Sequence, residues 1–159
     1  MKWAALWIAI VTLAAGSMLG EDVGCSRAFV SGSWSLLRLA AYGQSTYEHA
    51  AFIVRDDSGE ARLVPWPFDR QAFEATFHGA VPPNAIAIVH THPNSVPLPS
   101  AGDAALARRL GLPVYVVTRT LVSRTNGNST ATIWSGDWNP ERDAGGRSRC
   151  VSATIAQVQ

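Results

Sequence analysis

Two histidines separated by one residue, His90 and His92, end a short apolar run and constrain this chain more than any other feature. The run, residues 85–89, is partly β-branched and lies between Pro82-Pro83-Asn84 and Pro93, which is typical of a buried strand. Alternate residues of a strand point to the same face, so the two imidazoles are expected side by side. The pattern therefore predicts a sheet that presents two adjacent histidines at a strand end, a spacing that suits two ligands of one metal ion.

A helix is predicted shortly after this strand. Three prolines keep the loop after His92 out of helical conformation, and residues 101–110 then carry apolar side chains at helical spacing until Gly111 stops them. Asp103 precedes the apolar positions of this helix by three, four and seven residues, so its carboxylate is expected on the interior face. A carboxylate directed inward needs a metal ion or a hydrogen-bond donor as partner.

Each of these two features also has a purely structural interpretation. Ser100 followed three residues later by Asp103 is the pattern of a helix capping box, and two histidines at a strand end are often ordinary polar residues. Their occurrence together, joined by a proline-rich loop of seven residues, favours a metal site made of His90, His92 and Asp103. Two nitrogens and one carboxylate are a frequent set of three protein ligands for a catalytic zinc, whose fourth position is kept for water.

The arrangement His90-x-His92, seven residues and Ser100-x-x-Asp103 resembles the His-x-His-x7-Ser-x-x-Asp pattern of the JAMM (JAB/MPN+) metallopeptidases. This zinc-dependent family includes deubiquitinating isopeptidases and bacterial relatives. The resemblance covers the motif and, more loosely, the order of elements from residue 33 to residue 138. It implies a JAB/MPN-like α/β sandwich, with a mixed and mostly antiparallel sheet packed between helices, and one zinc ion per chain.

The resemblance assigns catalytic roles to Glu48 and Ser100. A glutamate at the start of an earlier strand serves this family as general base, and Glu48 holds such a position, although a plain strand-edge carboxylate is the alternative. Ser100 can cap the helix and donate its hydroxyl to the oxyanion formed during attack on a carbonyl. The chain departs from the family at Ala51, where glycine is common. Other acidic residues fit less well as base, among them Glu74, which is expected on a solvated helix.

The remaining elements are predicted from periodicity and turn residues. Helices are expected at 34–42 and 69–78, the second with Phe73 and Phe77 on one face and His78 in its last turn. Strands are expected at 47–54, 61–64, 114–120 and 130–134, with Asn126-Gly127 as a hairpin turn before the last. Asn94 and Ser95, in the loop after the histidines, are candidates for substrate contact. Together these elements predict a catalytic domain at residues 26–139.

The N-terminal segment, residues 1–20, resembles a secretory signal peptide, with Lys2, an apolar stretch and small residues that favour cleavage at Ala15-Gly16-Ser17, with Gly20 as the second choice. An uncleaved membrane anchor is the alternative, because residues 3–19 approach the roughly 20 apolar residues that span a bilayer. We therefore expect export, to the periplasm or the exterior.

Export would expose Cys25 and Cys150, the only two cysteines, to an oxidising environment, so they are predicted to form a disulfide. In the chain-entropy model so long a loop contributes on the order of 4 to 5 kcal/mol. Residues 140–159 are then a polar tail held back by Cys150.

Composition narrows the class of partner. A chain of 159 residues with 47% hydrophobic and 16% charged residues suits one compact domain with a substantial core. Its formal net charge of +1 provides no basic surface for nucleic acid, and a membrane is a partner only if the N-terminal segment stays uncleaved. We expect a zinc metallopeptidase that hydrolyses a peptide or isopeptide bond in a peptide or protein substrate. A non-catalytic binding module of the same fold, and a zinc amidase acting on cell-wall peptides, are the alternatives.

Overall fold

A computed structural model describes residues 22–136 and 138–140, which fold around a six-stranded mixed sheet. The helices of this part of the chain are α1 (Arg27–Leu39) and α2 (Ala101–Leu110), with short 3-10 turns at Val23–Cys25 and Ala41–Gly43. The strands are β1 (Ala50–Arg55), β2 (Ala61–Pro65), β3 (Ala85–Thr91), β4 (Val114–Val117), β5 (Leu121–Thr125) and β6 (Thr130–Ser135). Their order across the sheet is β2-β1-β3-β4-β5-β6.

The connection between β3 and β4 gives the sheet its mixed character. These two strands are parallel and α2 joins them, whereas the other four neighbouring pairs are antiparallel. Parallel strands need a crossover segment, and a helix is the usual one. The carboxyl end of β3, where the histidines lie, is thereby placed beside the amino end of α2.

The two helices cover opposite faces of the sheet. Phe29 and Leu37 of α1 are fully buried against one face, in a core that includes Ala51 and Val89 of the strands. Ala107 of α2 packs on the other face in a second, smaller core. Successive strand residues alternate between these cores, as the pleat requires. The predicted sandwich with a mixed sheet between helices is confirmed.

Helix α2 has the predicted bounds, whereas α1 begins well before the predicted start at residue 34. The cap of α1 is Ser26, whose hydroxyl accepts the backbone N–H of Phe29 at 3.1 Å. The first turns contain serine and Gly32, which favour helix weakly on their own. Tertiary packing compensates, because the Phe29 ring lies on the Tyr115 ring with centroids 4.9 Å apart. Local periodicity alone could not reveal this extension.

The predicted helix at residues 69–78 is wrong, since this part of the chain is irregular. The Asp69 carboxylate accepts the backbone N–H groups of Gln71 at 3.2 Å and Thr76 at 3.0 Å, which replaces helical hydrogen bonding with a local turn. Phe73 has a left-handed φ of 60° and donates its N–H to the Thr46 carbonyl at 2.7 Å. We call residues 66–81 the aromatic segment.

This irregular path changes the positions of the aromatic side chains. Phe77 packs on Phe52 of β1, with ring centroids 4.9 Å apart, whereas Phe73 is 63% exposed. The two rings therefore do not share a helical face. His78 is likewise exposed and does not end a helix, contrary to its predicted place.

Several strand ends also differ from the predictions. Glu48 and His49 precede β1, which begins at Ala50, and His92 follows β3, which ends at Thr91. The predicted hairpin turn at Asn126-Gly127 is present, but it joins β6 to β5 (Leu121–Thr125), a strand that the sequence did not predict. Within residues 22–136 and 138–140, no helix has the length and apolar character needed to cross a bilayer. The proposed signal peptide, the tail beyond Pro140 and Cys150 lie outside the described residues, so the Cys25–Cys150 disulfide stays a prediction.

Candidate metal centre

Four side chains that the sequence singled out converge at the carboxyl end of β3. The Nε2 atoms of His90 and His92 are 2.9 Å apart. Asp103 approaches both, with Oδ1 at 3.1 Å from His90 Nε2 and Oδ2 at 3.6 Å from His92 Nε2. Glu48 completes the cluster, with Oε2 4.0 Å from His90 Nε2 and Oε1 3.9 Å from His92 Nε2. All four residues are buried, between 6% and 8% exposed.

The backbone next to Glu48 explains its position. His49 pairs with Thr91, donating its N–H to Thr91 Oγ1 at 3.0 Å and accepting the Thr91 N–H at 2.9 Å. The Thr91 hydroxyl is thus engaged with the backbone next to Glu48. This pairing holds the segment before β1 against the end of β3. Glu48 is thereby directed at the imidazoles, while the His49 ring stacks on Phe68 outside the cluster.

The loop after β3 orients His92. Its Nδ1 lies 2.8 Å from the Val96 carbonyl oxygen, so Nδ1 carries the hydrogen and Nε2 presents its lone pair to the cluster. A hydrogen bond of this kind fixes the tautomer and the ring orientation that a metal-binding histidine needs. Loop and strand together therefore prepare Nε2 of His92 as a ligand atom.

Asn94 anchors the same loop to its neighbours. Its side-chain amide donates to the Tyr42 carbonyl at 2.8 Å and accepts the N–H of Arg119 at 2.9 Å. Its own backbone N–H donates to the Gly43 carbonyl at 2.9 Å. Asn94 is thus engaged in the scaffold, in contrast to the substrate contact suggested for it from sequence.

Asp103 fulfils the capping-box interpretation and joins the cluster at the same time. Its Oδ2 accepts the backbone N–H of Ser100 at 2.6 Å and the Ser100 hydroxyl at 2.8 Å, and its own N–H donates to Ser100 Oγ at 3.1 Å. Oδ1 takes no part in the cap and faces His90. The two interpretations drawn from sequence are compatible, because each uses a different oxygen of one carboxylate.

The two carboxyl groups of the cluster have opposite electrostatic environments. Burial raises the pKa of Glu48 to about 7, with additional repulsion from Asp103, although the charge of His90 opposes the shift. Burial acts in the same sense on Asp103, but hydrogen bonds from His90 and Ser100 outweigh it and hold the pKa of Asp103 well below its usual range. Asp103 is therefore a permanent anion, whereas Glu48 can exchange a proton near neutral pH.

The histidines are shifted in opposite directions. Burial disfavours the charge on each, but the hydrogen bond to Asp103 raises the pKa of His90, while burial and the neighbouring His90 lower the pKa of His92. In the absence of metal, the hydrogen bond to Asp103 therefore favours a proton on His90. A metal cation can take the place of that proton, because the Nε2 atoms of both histidines and the Asp103 carboxylate oxygens lie 2.9 to 3.6 Å from one another.

The donor set fits a divalent metal. Glu48, His90 and His92 each offer one atom, and these atoms all lie within 4.8 Å of one another. The Asp103 carboxylate lies closer to the two imidazoles than Glu48 does. Either carboxylate could therefore be the third ligand beside the two histidine nitrogens. Imidazole nitrogen and carboxylate oxygen are ligands of catalytic zinc and of other first-row metals.

All four residues of the cluster line a cleft of about 730 Å³. Ser100 lines it as well, beside Asp103. Glu74 is exposed, as expected, but it is not helical and it lines the cleft. Its presence depends on the irregular course of the aromatic segment, for which the sequence offered no periodic signal.

Comparison with known proteins gives one match. A family model described as prokaryotic homologs of the JAB domain matches residues 34–134, a range that includes Glu48, both histidines and Asp103. Searches of curated proteins and of solved structures give no match.

Proposed function

Because the chain belongs to the family of prokaryotic homologs of the JAB domain, we propose that it is a zinc metallopeptidase that hydrolyses a peptide or isopeptide bond. The observation that carries the proposal is the position of Glu48, buried within 4.0 Å of both histidine Nε2 atoms and with a pKa of about 7. A buried carboxyl group of this kind beside a metal-binding set suits general acid-base catalysis.

In this proposal, His90, His92 and Asp103 hold one zinc ion, and Glu48 remains unligated. Asp103 suits the ligand role because it stays ionised and its Oδ1 is not used by the helix cap. Neutral His92 offers Nε2, and His90 loses its proton when the ion enters. The ion, when bound, lowers the pKa of a water molecule toward 7 and polarises the substrate carbonyl.

Glu48 performs the proton transfers of the reaction. As the water oxygen bonds to the carbonyl carbon, the Glu48 carboxylate accepts the water proton. As the carbon–nitrogen bond breaks, Glu48 returns that proton to the departing amine, so the carboxylate is regenerated. A pKa of about 7 places both protonation states within reach near neutral pH.

Ser100 can act in catalysis only if its hydroxyl hydrogen is reoriented. Its hydroxyl hydrogen is engaged with Asp103 Oδ2 at 2.8 Å, so stabilising an oxyanion requires rotation of this hydrogen about the Cβ–Oγ bond. The backbone N–H of Ser100, 2.6 Å from the same oxygen, would keep Asp103 in place during that rotation. We propose that Ser100 positions Asp103 in the resting protein and donates to the oxyanion during catalysis.

The matched substitution Glu48→Gln tests the base assignment, with Glu60→Gln at an exposed hairpin position as control. The purified protein is expected to hold about one zinc per chain and to cleave members of a peptide library. Glu48→Gln should keep the zinc and lose turnover by about 10²- to 10⁴-fold, whereas Glu60→Gln keeps both. Undiminished turnover in Glu48→Gln would refute the proposal.

The same experiment decides between the two carboxylates. If Glu48 were the ligand and Asp103 the base, zinc would be lost from Glu48→Gln and retained by Asp103→Asn. Including cell-wall peptides in the library separates a general peptidase from an amidase that acts on those peptides. A protein that binds zinc and cleaves neither class would be a binding module.

We also propose that the protein is exported and that Cys25 pairs with Cys150. Both proposals are supported by the sequence alone. For export, the support is that residues 1–17 contain a charged residue, then an apolar stretch and then small residues. For the disulfide, it is that the sequence contains no other cysteine. N-terminal sequencing of the mature protein tests the export signal. Thiol titration before and after reduction tests the disulfide, with no free thiol expected before reduction and two after it.

A further inference from the structure

The cleft that contains the cluster continues into an apolar groove. The groove is the part of the cleft lined by Leu106 and Leu110 of α2 and by Trp66 and Phe77 of the aromatic segment, all partly buried and packed against the core that contains Phe52. The cluster and the groove share one cleft, so a ligand that reaches Glu48 also meets these side chains. Nothing in the reaction proposed above uses them.

Phe73 also lines the cleft, and its exposure and backbone conformation are consistent with a ligand-binding position. Its ring is 63% exposed, although burial of a phenylalanine is favourable. Its φ of 60° is unfavourable for a bulky residue, and a hydrogen bond to Thr46 and a bridge between Tyr47 and Ala72 hold it there. Backbone strain that neighbouring contacts maintain is typical of ligand-binding positions.

The dimensions of the groove suit an extended peptide. Asp103 and Leu110 are seven residues apart on α2, so the groove extends roughly 10 Å from the cluster at about 1.5 Å per helical residue. An extended chain advances about 3.3 Å per residue, so roughly three residues fit along this length. The apolar lining favours side chains that lose water easily.

We infer that the groove gives the enzyme its specificity, selecting peptides with a large apolar side chain within three residues of the cleaved bond. The inference rests on the proposed function, because it places the scissile bond at Glu48. Peptides of glycine, alanine and charged residues would leave the groove unfilled. Complete burial of one large side chain accounts for roughly a tenfold to hundredfold preference.

The test compares Phe73→Ala with Phe68→Ala. Both residues are exposed phenylalanines of the aromatic segment, but only Phe73 lines the cleft. Calorimetry measures binding of two peptide series, one with leucine or phenylalanine and one with alanine at the same positions, to Glu48→Gln protein carrying either substitution. Hydrolysis of the same peptides is measured in the background that retains Glu48.

We expect Phe73→Ala to weaken binding of the apolar series by about three- to tenfold and to raise its KM similarly, with little effect on the alanine series. Phe68→Ala should change neither. Equal binding of the two series, equal effects of the two substitutions or binding of neither series would overturn the inference. Self-association of the unsubstituted protein that Phe73→Ala abolishes would assign the groove to a second copy and would also overturn it.

The two proposals fail in different ways. If the apolar series binds with the expected preference and no peptide is cleaved, the groove stands as a peptide site and the proposed peptidase function fails. If peptides are cleaved without preference for an apolar residue, the peptidase function stands and the specificity inference fails.

Discussion

Ser100 and Asp103 are joined by three hydrogen bonds that use only one oxygen of the Asp103 carboxylate. Oδ2 accepts the N–H and the hydroxyl of Ser100 at 2.6 and 2.8 Å, and the Asp103 N–H donates to Ser100 Oγ at 3.1 Å. Oδ1 is left 3.1 Å from His90 Nε2. The amino end of α2 therefore orients a metal-binding group while completing its own cap.

Ser100→Ala should weaken both functions of this contact. Loss of an N-cap side chain costs about 1 kcal/mol of the free energy of unfolding, and loss of a hydrogen bond to a metal ligand typically lowers metal affinity about 10- to 100-fold. Ser26→Ala, which removes the cap of α1 far from the cluster, is the matched control. Urea denaturation should show similar destabilisation in both variants, and zinc titration should show weaker binding in Ser100→Ala alone. Equal zinc affinities would contradict a role of Ser100 in positioning Asp103.

The raised pKa of Glu48 predicts a pH-dependent stability of the metal-free protein. Between the ordinary glutamate pKa of 4.5 and the folded-state pKa of about 7, the folded state binds more protons at Glu48 than the unfolded state does. The contribution of Glu48 to the free energy of unfolding is therefore fully present below pH 4.5. It is lost as the pH rises through 7, by about 3 kcal/mol in all.

Comparing the protein with Glu48→Gln isolates this effect from other titrating groups. Denaturation from pH 4.5 to pH 7 in the presence of a chelator should give a flatter profile for Glu48→Gln, with Glu60→Gln as control. Parallel profiles for all three proteins would show that Glu48 titrates normally.

Zinc should stabilise the folded protein through the two histidines. At free zinc of 100 times Kd, linkage predicts an increase of about 2.7 kcal/mol in the free energy of unfolding. His90→Ala should abolish this increase, whereas His78→Ala, in the exposed part of the aromatic segment, should retain it. Thermal denaturation with zinc and with chelator measures the difference for each protein. Equal zinc stabilisation of both variants would place the metal elsewhere.

Gly43 should be intolerant of substitution because it supports the loop after β3. Its φ is 78°, and a Cβ atom there would overlap the Asn94 side-chain amide. Gly59 has a similar φ of 86° with open space around it, so it supplies a control for the backbone conformation alone. Gly43→Ala is expected to cost about 1 to 3 kcal/mol more than Gly59→Ala in urea denaturation. Similar losses would mean that Asn94 moves aside freely.

The sequence predicted the elements whose signals are local. Helix α2 is bounded by Ser100 and Gly111, whose capping chemistry is independent of the rest of the chain. The strand before His90 and the turn at Asn126-Gly127 are also fixed by near neighbours. These features were sufficient to predict the strand, loop and helix that carry both histidines and Asp103, whereas Glu48 was selected through the resemblance to the JAMM family.

The aromatic segment escaped prediction because its conformation depends on distant contacts. The spacing of Phe73 and Phe77 suits a helix, but the Asp69 carboxylate and the Thr46 carbonyl take the hydrogen bonds that a helix would make internally. The groove and the place of Glu74 follow from that irregular path, so neither was predictable. The start of α1 was missed for a related reason, since Phe29 is held by its contact with Tyr115.

The four residues of the cluster differ in how far apart they lie along the chain. His90, His92 and Asp103 belong to one continuous unit of strand, loop and helix, whereas Glu48 precedes β1 and is brought to them by the pairing of β1 with β3. The three proposed metal ligands are therefore arranged by contacts that are short in sequence, and the proposed base is arranged by a contact between distant parts of the chain. A change that disturbs only the pairing of β1 with β3 would thus separate the proposed base from the proposed ligands.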